Sequence, residues 1–162
     1  MLLPILHWPD PLLSKPCAPA LLDDDLRHLA SDMLETMYAA RGRGLAAPQV
    51  GRLVRLFVMD VTWKESACSP QVFVNPEMVE LSVARVLGPE GCLSIPGPVT
   101  EVERAEAVRM RWTDMEGQRQ DAVLTGFAAI CAQHEHDHLD GILTLDHLSP
   151  EARAQAEAEV LT

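Results

Sequence analysis

At residues 133–141 the chain reads Gln133-His134-Glu135-His136-Asp137-His138-Leu139-Asp140-Gly141, which contains the pattern His-Glu-x-x-His. His134 and His138 are four residues apart, so on an α-helix their imidazoles stand on one face, about one turn apart. At that separation both rings can bind one metal ion, and Glu135 can take a proton from a water held by that ion. The stretch predicts a metal-dependent hydrolytic site, although helical histidines are also common as ordinary core or surface residues.

The sequence around this pattern is typical of an α-helix. Apolar side chains and the two histidines recur at three- and four-residue spacing over residues 126–139. Thr125 can cap the start of such a helix, and Gly141 can end it. We therefore expect His134 and His138 to share one face of a helix that begins near residue 126.

The composition favours a single globular domain covering residues 1–162. Of the 162 residues, 48% are hydrophobic, which is enough for a substantial core. The net charge of -11 argues against nonspecific binding to nucleic acid or anionic membranes. The first residues lack the basic start of a signal peptide, and no apolar run approaches the ~20 residues of a membrane-spanning helix. Because the four cysteines accompany no export signal, we expect reduced thiols and a cytoplasmic protein.

Two more helices and several strands are predicted outside this segment. Residues 1–20 are rich in proline and predict an extended arm. Helical spacing predicts a helix over residues 23–40, and Ser-Pro-Glu opens a final helix over residues 149–160. Strands in the middle of the chain with separate helices predict an α+β architecture. The predicted strands are residues 54–61, 71–75, 77–87, 99–113 and 120–124.

Two histidines leave the site incomplete, because a catalytic metal site of this kind usually takes a third protein ligand. Thr144 stands where the longer pattern His-Glu-x-x-His-x-x-Gly-x-x-His requires histidine, which disfavours that class of peptidase. Cys131 lies seven residues before His138, about 10 Å along a helix, too far for both to bind one ion. Cys92, in a turn, remains as a candidate; the alternative is a small buried thiol. One thiolate with two imidazoles suits Zn²⁺ or Fe²⁺.

A glycine-rich stretch follows the first predicted helix. Residues 41–51 read Arg-Gly-Arg-Gly-Leu-Ala-Ala-Pro-Gln-Val-Gly, and these small residues allow the backbone to approach another group closely. The amide of Gln49 could donate a hydrogen bond to a reacting oxygen. A phosphate loop is disfavoured, since the stretch has neither a Gly-Lys-Ser/Thr ending nor Gly-x-Gly-x-x-Gly spacing.

Three segments, taken together, resemble the peptide deformylase family. They are Gly-x-Gly-x-Ala-Ala-x-Gln at residues 42–49, Glu-Gly-Cys-Leu-Ser at residues 90–94 and Gln-His-Glu-x-Asp-His at residues 133–138. All three match at their polar positions and follow the family's order, and the resemblance extends over nearly the whole chain. It implies an α+β fold with antiparallel or mixed sheets around a central metal-binding helix, with N-terminal and C-terminal helices.

The resemblance also implies an activity and a cofactor. The reaction would remove formate from the N-formylmethionine of newly made proteins, acting on nascent chains at the ribosome. Cys92, His134 and His138 would bind one divalent metal ion, Fe²⁺ by preference, with Zn²⁺ or Ni²⁺ as substitutes. Glu135 would be the general base that activates the metal-bound water, and then the acid that protonates the departing amine.

Further residues are assigned to the substrate by the same resemblance. Gln49 through its amide, and Leu93 through its backbone N–H, would stabilise the oxyanion that develops at the formyl carbon. Gly44 would hydrogen-bond the backbone of the formyl peptide. The other substrate-binding residues would be Arg43, beside the substrate, and Phe127, Ile130 and Cys131, around the methionine pocket.

The chain departs from the family's usual pattern at three positions. Arg43 stands where the family usually has an apolar residue, Val99 where many members carry arginine, and Ser14 replaces a usual arginine. None of these changes removes a metal ligand or the base, so we expect the chemistry to survive. Two alternatives remain at this point: a deformylase-like amidase with weak or altered acyl-peptide specificity, and a catalytically silent metal-binding paralogue.

Overall fold

The central element of the fold is the helix α2 (Gly126–Leu139), which carries both histidines of the His-Glu-x-x-His pattern. A computed structural model describes residues 1–161 of the chain. Two further helices, α1 (Asp24–Ala39) and α3 (Pro150–Glu159), lie near the two ends of the chain. The strands in chain order are β1 (Gly44–Ala46), β2 (Leu56–Met59), β3 (Gln71–Leu81), β4 (Arg85–Cys92), β5 (Ile95–Ala105), β6 (Ala107–Thr113) and β7 (Arg119–Thr125).

Both sheets are antiparallel, and α2 contacts both of them. The larger sheet has the order β1-β2-β3-β6-β7, which makes β1 an edge strand, and β4 pairs with β5 in a two-stranded ribbon. The ribbon pairs Cys92 with Ile95, so a two-residue turn follows Cys92 directly. Because α2 contacts β1 and β2 as well as β5, it brings its histidines towards the turn of the ribbon.

Local sequence explains where the helices begin and end. The carboxylate of Asp23 accepts a hydrogen bond from the Leu26 N–H at 2.9 Å and caps α1, and Ser149 caps α3 in the same way. Gly141 follows α2 with φ +74°, a conformation that favours glycine. A Cβ at Gly141 would lie 2.6 Å from the carbonyl oxygen of Ser14, so close packing also requires glycine there.

One predicted cap is wrong. Thr125 occupies the position before α2, but its side chain makes no capping hydrogen bond. The next residue, Gly126, has φ +59°. This left-handed first residue turns the backbone away from the geometry in which a threonine hydroxyl reaches the free N–H groups of the first turn.

The N-terminal arm is extended, as predicted, apart from a short 3-10 helix at Pro11–Ser14. The N–H of Leu6 donates to the carbonyl of Gln49 at 2.7 Å, and the N–H of Trp8 donates to the carbonyl of Ser94 at 2.8 Å. The arm therefore ties the glycine-rich loop to the turn after Cys92, and so helps to fix two parts of the candidate site.

Aromatic side chains fill the space between α2 and the larger sheet. The rings of Phe57 and Phe73 stack with centroids 4.5 Å apart, and Trp112 lies 4.6 Å from Phe73. Ala129 and Ala132 of α2 are fully buried in the same cluster, and their small size lets the helix approach the sheet closely. Each large apolar side chain buried in this way contributes about 1.5–3 kcal/mol.

The α+β class and the three helices are confirmed, whereas three predicted strands are wrong in extent. The strand predicted at residues 71–75 is only the first part of β3, which continues to Leu81. Residues 77–87 contain the end of β3, a corner at residues 82–84 and the start of β4. Residues 99–113 divide into β5 and β6 at Glu106, whose N–H donates to the Ala84 carbonyl. Apolar alternation continues across both corners, so the pattern does not reveal them.

No helix within residues 1–161 combines the length and the apolar character needed to cross a membrane.

Candidate active site

Three predicted metal ligands are brought together by α2 and the ribbon. The ligand atoms of Cys92, His134 and His138 all lie within 4.8 Å of one another. The Sγ of Cys92 is 3.5 Å from the Nε2 of His138, and the two imidazole centroids are 5.0 Å apart. Ligands bound to one Zn²⁺-like ion at about 2.0–2.3 Å must lie at such separations. The donor set therefore fits a divalent metal ion with three protein ligands.

A buried carboxylate orients the first histidine. The Nδ1 of His134 donates to the Oε1 of Glu90 at 2.9 Å, which leaves Nε2 free to face a metal ion. Burial acts to lower the pKa of His134, but the charge of Glu135 and the hydrogen bonds with Cys92 and Glu90 outweigh it and hold that pKa well above its usual value. Burial, followed by the positive charges of His134 and Arg104, holds the pKa of His138 well below its usual value. His138 is therefore a neutral imidazole, the form that binds metal.

Glu90 belongs to an ion-pair network that the sequence did not reveal. Arg104 donates two hydrogen bonds to Glu90, both at 2.9 Å, and a third to Asp137 at 2.6 Å. His147 contacts the same Asp137 oxygen at 2.8 Å. Burial acts to raise the pKa of Glu90, but the hydrogen bonds from His134 and Arg104 outweigh it and hold that pKa at about 2. Glu90 is thus ionised and available to His134 at neutral pH.

Glu135 is buried beside the two histidines and faces Gly44 in the glycine-rich stretch. Its Oε1 is buried and has no hydrogen-bond partner among residues 1–161. Burial raises the pKa of Glu135 to about 7, with the neighbouring charges partly cancelling one another. A carboxyl group with a pKa near neutrality can both accept and return a proton. The backbone of Gly44 allows this position, because a Cβ there would lie 2.5 Å from the Oε2 of Glu135.

The amide of Gln49 is held in one orientation at the edge of the site. Its Oε1 accepts a hydrogen bond from the Ala46 N–H at 2.9 Å. Its Nε2 donates to Ser94 Oγ at 3.0 Å and lies 3.7 Å from Cys92 Sγ. The N–H of Leu93, next to Cys92, makes no hydrogen bond within the described part of the chain. Two N–H donors therefore flank the sulfur of Cys92.

The open edge of β1 borders the same site. The N–H of Asp60 donates to the Arg43 carbonyl at 2.9 Å, while Gly44 lies opposite Met59. In an antiparallel ladder this makes Gly44 and Met59 a non-hydrogen-bonded pair. The N–H and carbonyl of Gly44 consequently point away from β2, in the same direction as the Ala46 N–H that meets Gln49. A peptide backbone can pair with them there.

A cleft of about 380 Å³ contains the predicted substrate residues. Arg43 lies with its guanidinium 5.1 Å from the centroid of the Phe127 ring and pairs with Glu65. Phe127 is 51% exposed, so an apolar side chain can still cover it. Val99 is 67% exposed on β5 and does not line the cleft. The predicted residues that line it are Gly44, Gln49, Cys92, Leu93, Phe127, Ile130, Cys131, His134, Glu135 and Arg43.

The family model and the sequence relatives that match this chain all come from one family. The polypeptide deformylase family model matches residues 2–154. The peptide deformylase of Alkalilimnicola ehrlichii is 52% identical over 149 residues, which covers 91% of this chain and 83% of that protein. That of Acinetobacter baumannii strain SDF is 44% identical over 160 residues, covering 98% and 90% respectively.

Solved structures agree with the sequence relatives. The crystal structure of a peptide deformylase from Legionella pneumophila superposes with a TM-score of 0.92 at 41% identity, covering 98% of this chain and 93% of that one. The peptide deformylase from Ehrlichia chaffeensis in complex with actinonin gives a TM-score of 0.91 at 36% identity, covering 96% and 93%. From its sequence, its fold and these relatives, the chain belongs to the polypeptide deformylase family.

Proposed function

We propose that this protein is a metal-dependent hydrolase that removes the formyl group from N-formylmethionine at the start of newly made proteins. The observation that carries the proposal is the placement of a buried Glu135, whose Oε1 has no hydrogen-bond partner within residues 1–161, beside the cluster of Cys92, His134 and His138. Peptide deformylases at up to 52% identity among the relatives above support the same activity.

The proposed cofactor is one Fe²⁺ per chain, with Zn²⁺ or Ni²⁺ able to substitute. The donor set is compatible with all three ions, because one thiolate and two imidazoles accept several divalent metals, and the preference for Fe²⁺ rests on the resemblance to the family. Cys92, His134 and His138 would hold the ion, and Glu90 would keep His134 in the tautomer that binds it. When bound, the ion supplies Lewis-acid activation of water and of the formyl carbonyl.

Glu135 would move the proton during the reaction. Its carboxylate takes the proton of the attacking water and then delivers it to the amine nitrogen that leaves as the C–N bond breaks. The pKa of about 7 supports both roles near neutral pH. The small residue at Gly44 leaves room for the carboxylate at this position.

The N–H donors of the loop and the turn would stabilise the negative charge on the formyl oxygen. Gln49 Nε2 is oriented by the Ala46 N–H bound to its Oε1, and the Leu93 N–H lies next to the thiolate. Removing one such donor typically lowers kcat by about 10²–10³. The outward groups of Gly44 would pair with the peptide backbone. Phe127, Ile130 and Cys131 would surround the methionine side chain.

We also propose that the whole chain acts as one catalytic domain in the cytoplasm, on nascent chains as they leave the ribosome. The chemistry of the substrate supports this setting, since formylmethionine stands at the start of newly made proteins. The cysteines support it as well, because none of the four forms a disulfide within the described residues.

Formate release from matched peptides tests the proposal. The metal-loaded protein is given formyl-Met-Ala-Ser, acetyl-Met-Ala-Ser and unmodified Met-Ala-Ser, with the Glu135→Gln variant as the control. We expect formate and the free α-amine of Met-Ala-Ser from the formyl peptide, no free amine from the acetyl peptide, no reaction of unmodified Met-Ala-Ser, and loss of most of the activity in the variant. Equal or faster hydrolysis of the acetyl peptide would overturn the proposed substrate.

A further inference from the structure

Three basic side chains line the mouth of the cleft. They are Arg41, Arg43 and Lys64, which we call the cationic rim. The chain has 13 basic against 24 acidic residues, so the rim is opposite in sign to the protein as a whole. The acidic residues that line the same cleft are Glu90, which is paired with Arg104, and Glu135, which is buried beside the metal ligands.

Aromatic rings hold the rim in place. The indole N–H of Trp63 donates to the Gly42 carbonyl at 3.0 Å, which fixes this ring beside the glycine-rich loop. The guanidinium carbon of Arg41 lies 5.7 Å from the centroid of the Trp63 ring, and the Nζ of Lys64 lies 5.6 Å from it. Arg43 lies over Phe127 instead. Such cation–π contacts orient the charges without neutralising them.

Most of this charge has no anionic partner. Arg43 pairs with Glu65, whereas neither Arg41 nor Lys64 forms a salt bridge within residues 1–161. The Nε of Arg43 is buried and lacks a hydrogen-bond partner in the same part of the chain. Burial, followed by the charges of Arg43 and Arg41, lowers the pKa of Lys64, and the charge of Glu65 offsets this only in part. The three cations therefore repel one another, and an anion placed among them would relieve that repulsion.

A substrate peptide would pass this rim as it leaves the methionine pocket. Arg43 directly precedes Gly44, whose outward backbone groups would pair with the peptide. An extended chain advances about 3.3 Å per residue, so a peptide that pairs with Gly44 and runs towards Arg43 would place the first two residues beyond the methionine beside this part of the loop. Their side chains would be the ones within reach of the rim.

We propose that the cationic rim selects formylated peptides that carry an acidic side chain at one of the two positions after formylmethionine. This inference rests on the proposed function and names the class of substrate that the site favours. It also gives a role to Arg43, whose guanidinium lies over the Phe127 ring at the cleft.

The test compares four peptides on the metal-loaded protein. Two carry aspartate, formyl-Met-Asp-Ser and formyl-Met-Ala-Asp, and two are references, formyl-Met-Asn-Ser and formyl-Met-Lys-Ser. We expect kcat/KM for the better aspartate peptide to exceed that of the asparagine peptide by about 3- to 10-fold, with the lysine peptide slowest. The difference should lie mainly in KM. It should shrink when salt is raised to about 0.5 M, because exposed charges are then screened.

Variants assign the preference to the rim. The substitutions Arg41→Gln and Lys64→Gln, made separately and together, should bring the ratio of kcat/KM for the aspartate peptide to kcat/KM for the asparagine peptide towards one. Arg85→Gln removes the same charge from an exposed residue that does not line the cleft, and should leave the ratio unchanged.

The outcomes separate this inference from the proposed function. Equal rates on the acidic and neutral peptides would overturn the inference while leaving deformylation intact. So would an acidic preference that persists unchanged in the double variant. Absence of formate from every peptide would overturn the proposed function, and this inference with it.

Discussion

The substitution Gly44→Ala tests the position of Glu135 directly. A Cβ at residue 44 would lie 2.5 Å from Glu135 Oε2 and 2.9 Å from Cys131 Sγ. Ordinary contacts of a Cβ begin near 3.4 Å, so the carboxylate must move by about 1 Å if the backbone of β1 stays in place. Because Glu135 is the proposed base, the substitution displaces the group that transfers the proton.

The expected loss of activity follows from this displacement. A misplacement of about 1 Å at a catalytic group lowers the rate about 100-fold, which corresponds to about 2.7 kcal/mol in transition-state stabilisation. Overpacking at a close contact lowers the free energy of unfolding by about 1–3 kcal/mol. We therefore expect a folded protein that binds metal but releases formate much more slowly.

Three measurements check this expectation: kcat/KM on formyl-Met-Ala-Ser, bound metal per chain, and the urea midpoint of unfolding. Gly88→Ala is the matched control, since a Cβ there meets nothing within 4 Å and Gly88 does not line the cleft. Full activity in Gly44→Ala would refute the proposed position of the base. Loss of metal in parallel with activity would show that the effect acts through the ligands instead.

Three further substitutions address the base, the buried ion pair and the thiolate. Glu135→Gln should lower kcat by about 10²–10⁴ without loss of bound metal, measured by formate release and metal analysis; unchanged turnover would remove Glu135 from the mechanism. Glu90→Gln leaves Arg104 with one fewer anion, so the free energy of unfolding should fall by about 3–5 kcal/mol and metal affinity by about 10- to 100-fold. Urea unfolding measures the change in stability, chelator competition measures the change in metal affinity, and substitution of the exposed Glu101 by Gln is the control. Equal losses in the Glu90 and Glu101 variants would contradict the role of Glu90 in holding Arg104 and His134. Folding lowers the pKa of Glu90 from 4.5 to about 2, so the contribution of its ionised form to the free energy of unfolding is complete above about pH 4.5 and is lost as the pH falls towards 2. If the difference in unfolding free energy between wild type and Glu90→Gln stayed constant over this range, the lowered pKa of Glu90 would be contradicted. Cys92→Ala should reduce bound metal and formate release together, and retention of a full metal complement would remove the thiolate from the ligand set.

The local features of the site could be predicted from the sequence because each depends on a short segment. Four-residue spacing places His134 and His138 on one helical face, and the structure has that helix at the predicted residues. The sequence leaves Cys92 as a candidate for the third ligand, and its Sγ lies within 4.8 Å of a ring nitrogen of each histidine.

Long-range features could not be predicted in the same way. Glu90, Arg104 and Asp137 come from β4, β5 and α2, and only the pairing of the ribbon and its packing on α2 bring them together. Glu90 lies within a recognised motif, but nothing in the spacing identifies its partner. The cationic rim could not be predicted either, since Arg41 and Lys64 are 23 residues apart in the sequence and are brought together where both contact the ring of Trp63.

The most direct test of the account is an anaerobic titration of the metal-free protein with Fe²⁺, in which bound iron and formate release from formyl-Met-Ala-Ser are measured together. We predict that the rate rises in proportion to bound iron and reaches its maximum at about one ion per chain, since the three ligands form one site. A protein that holds one ion per chain and releases no formate would contradict the central claim, as would a rate that does not depend on bound metal.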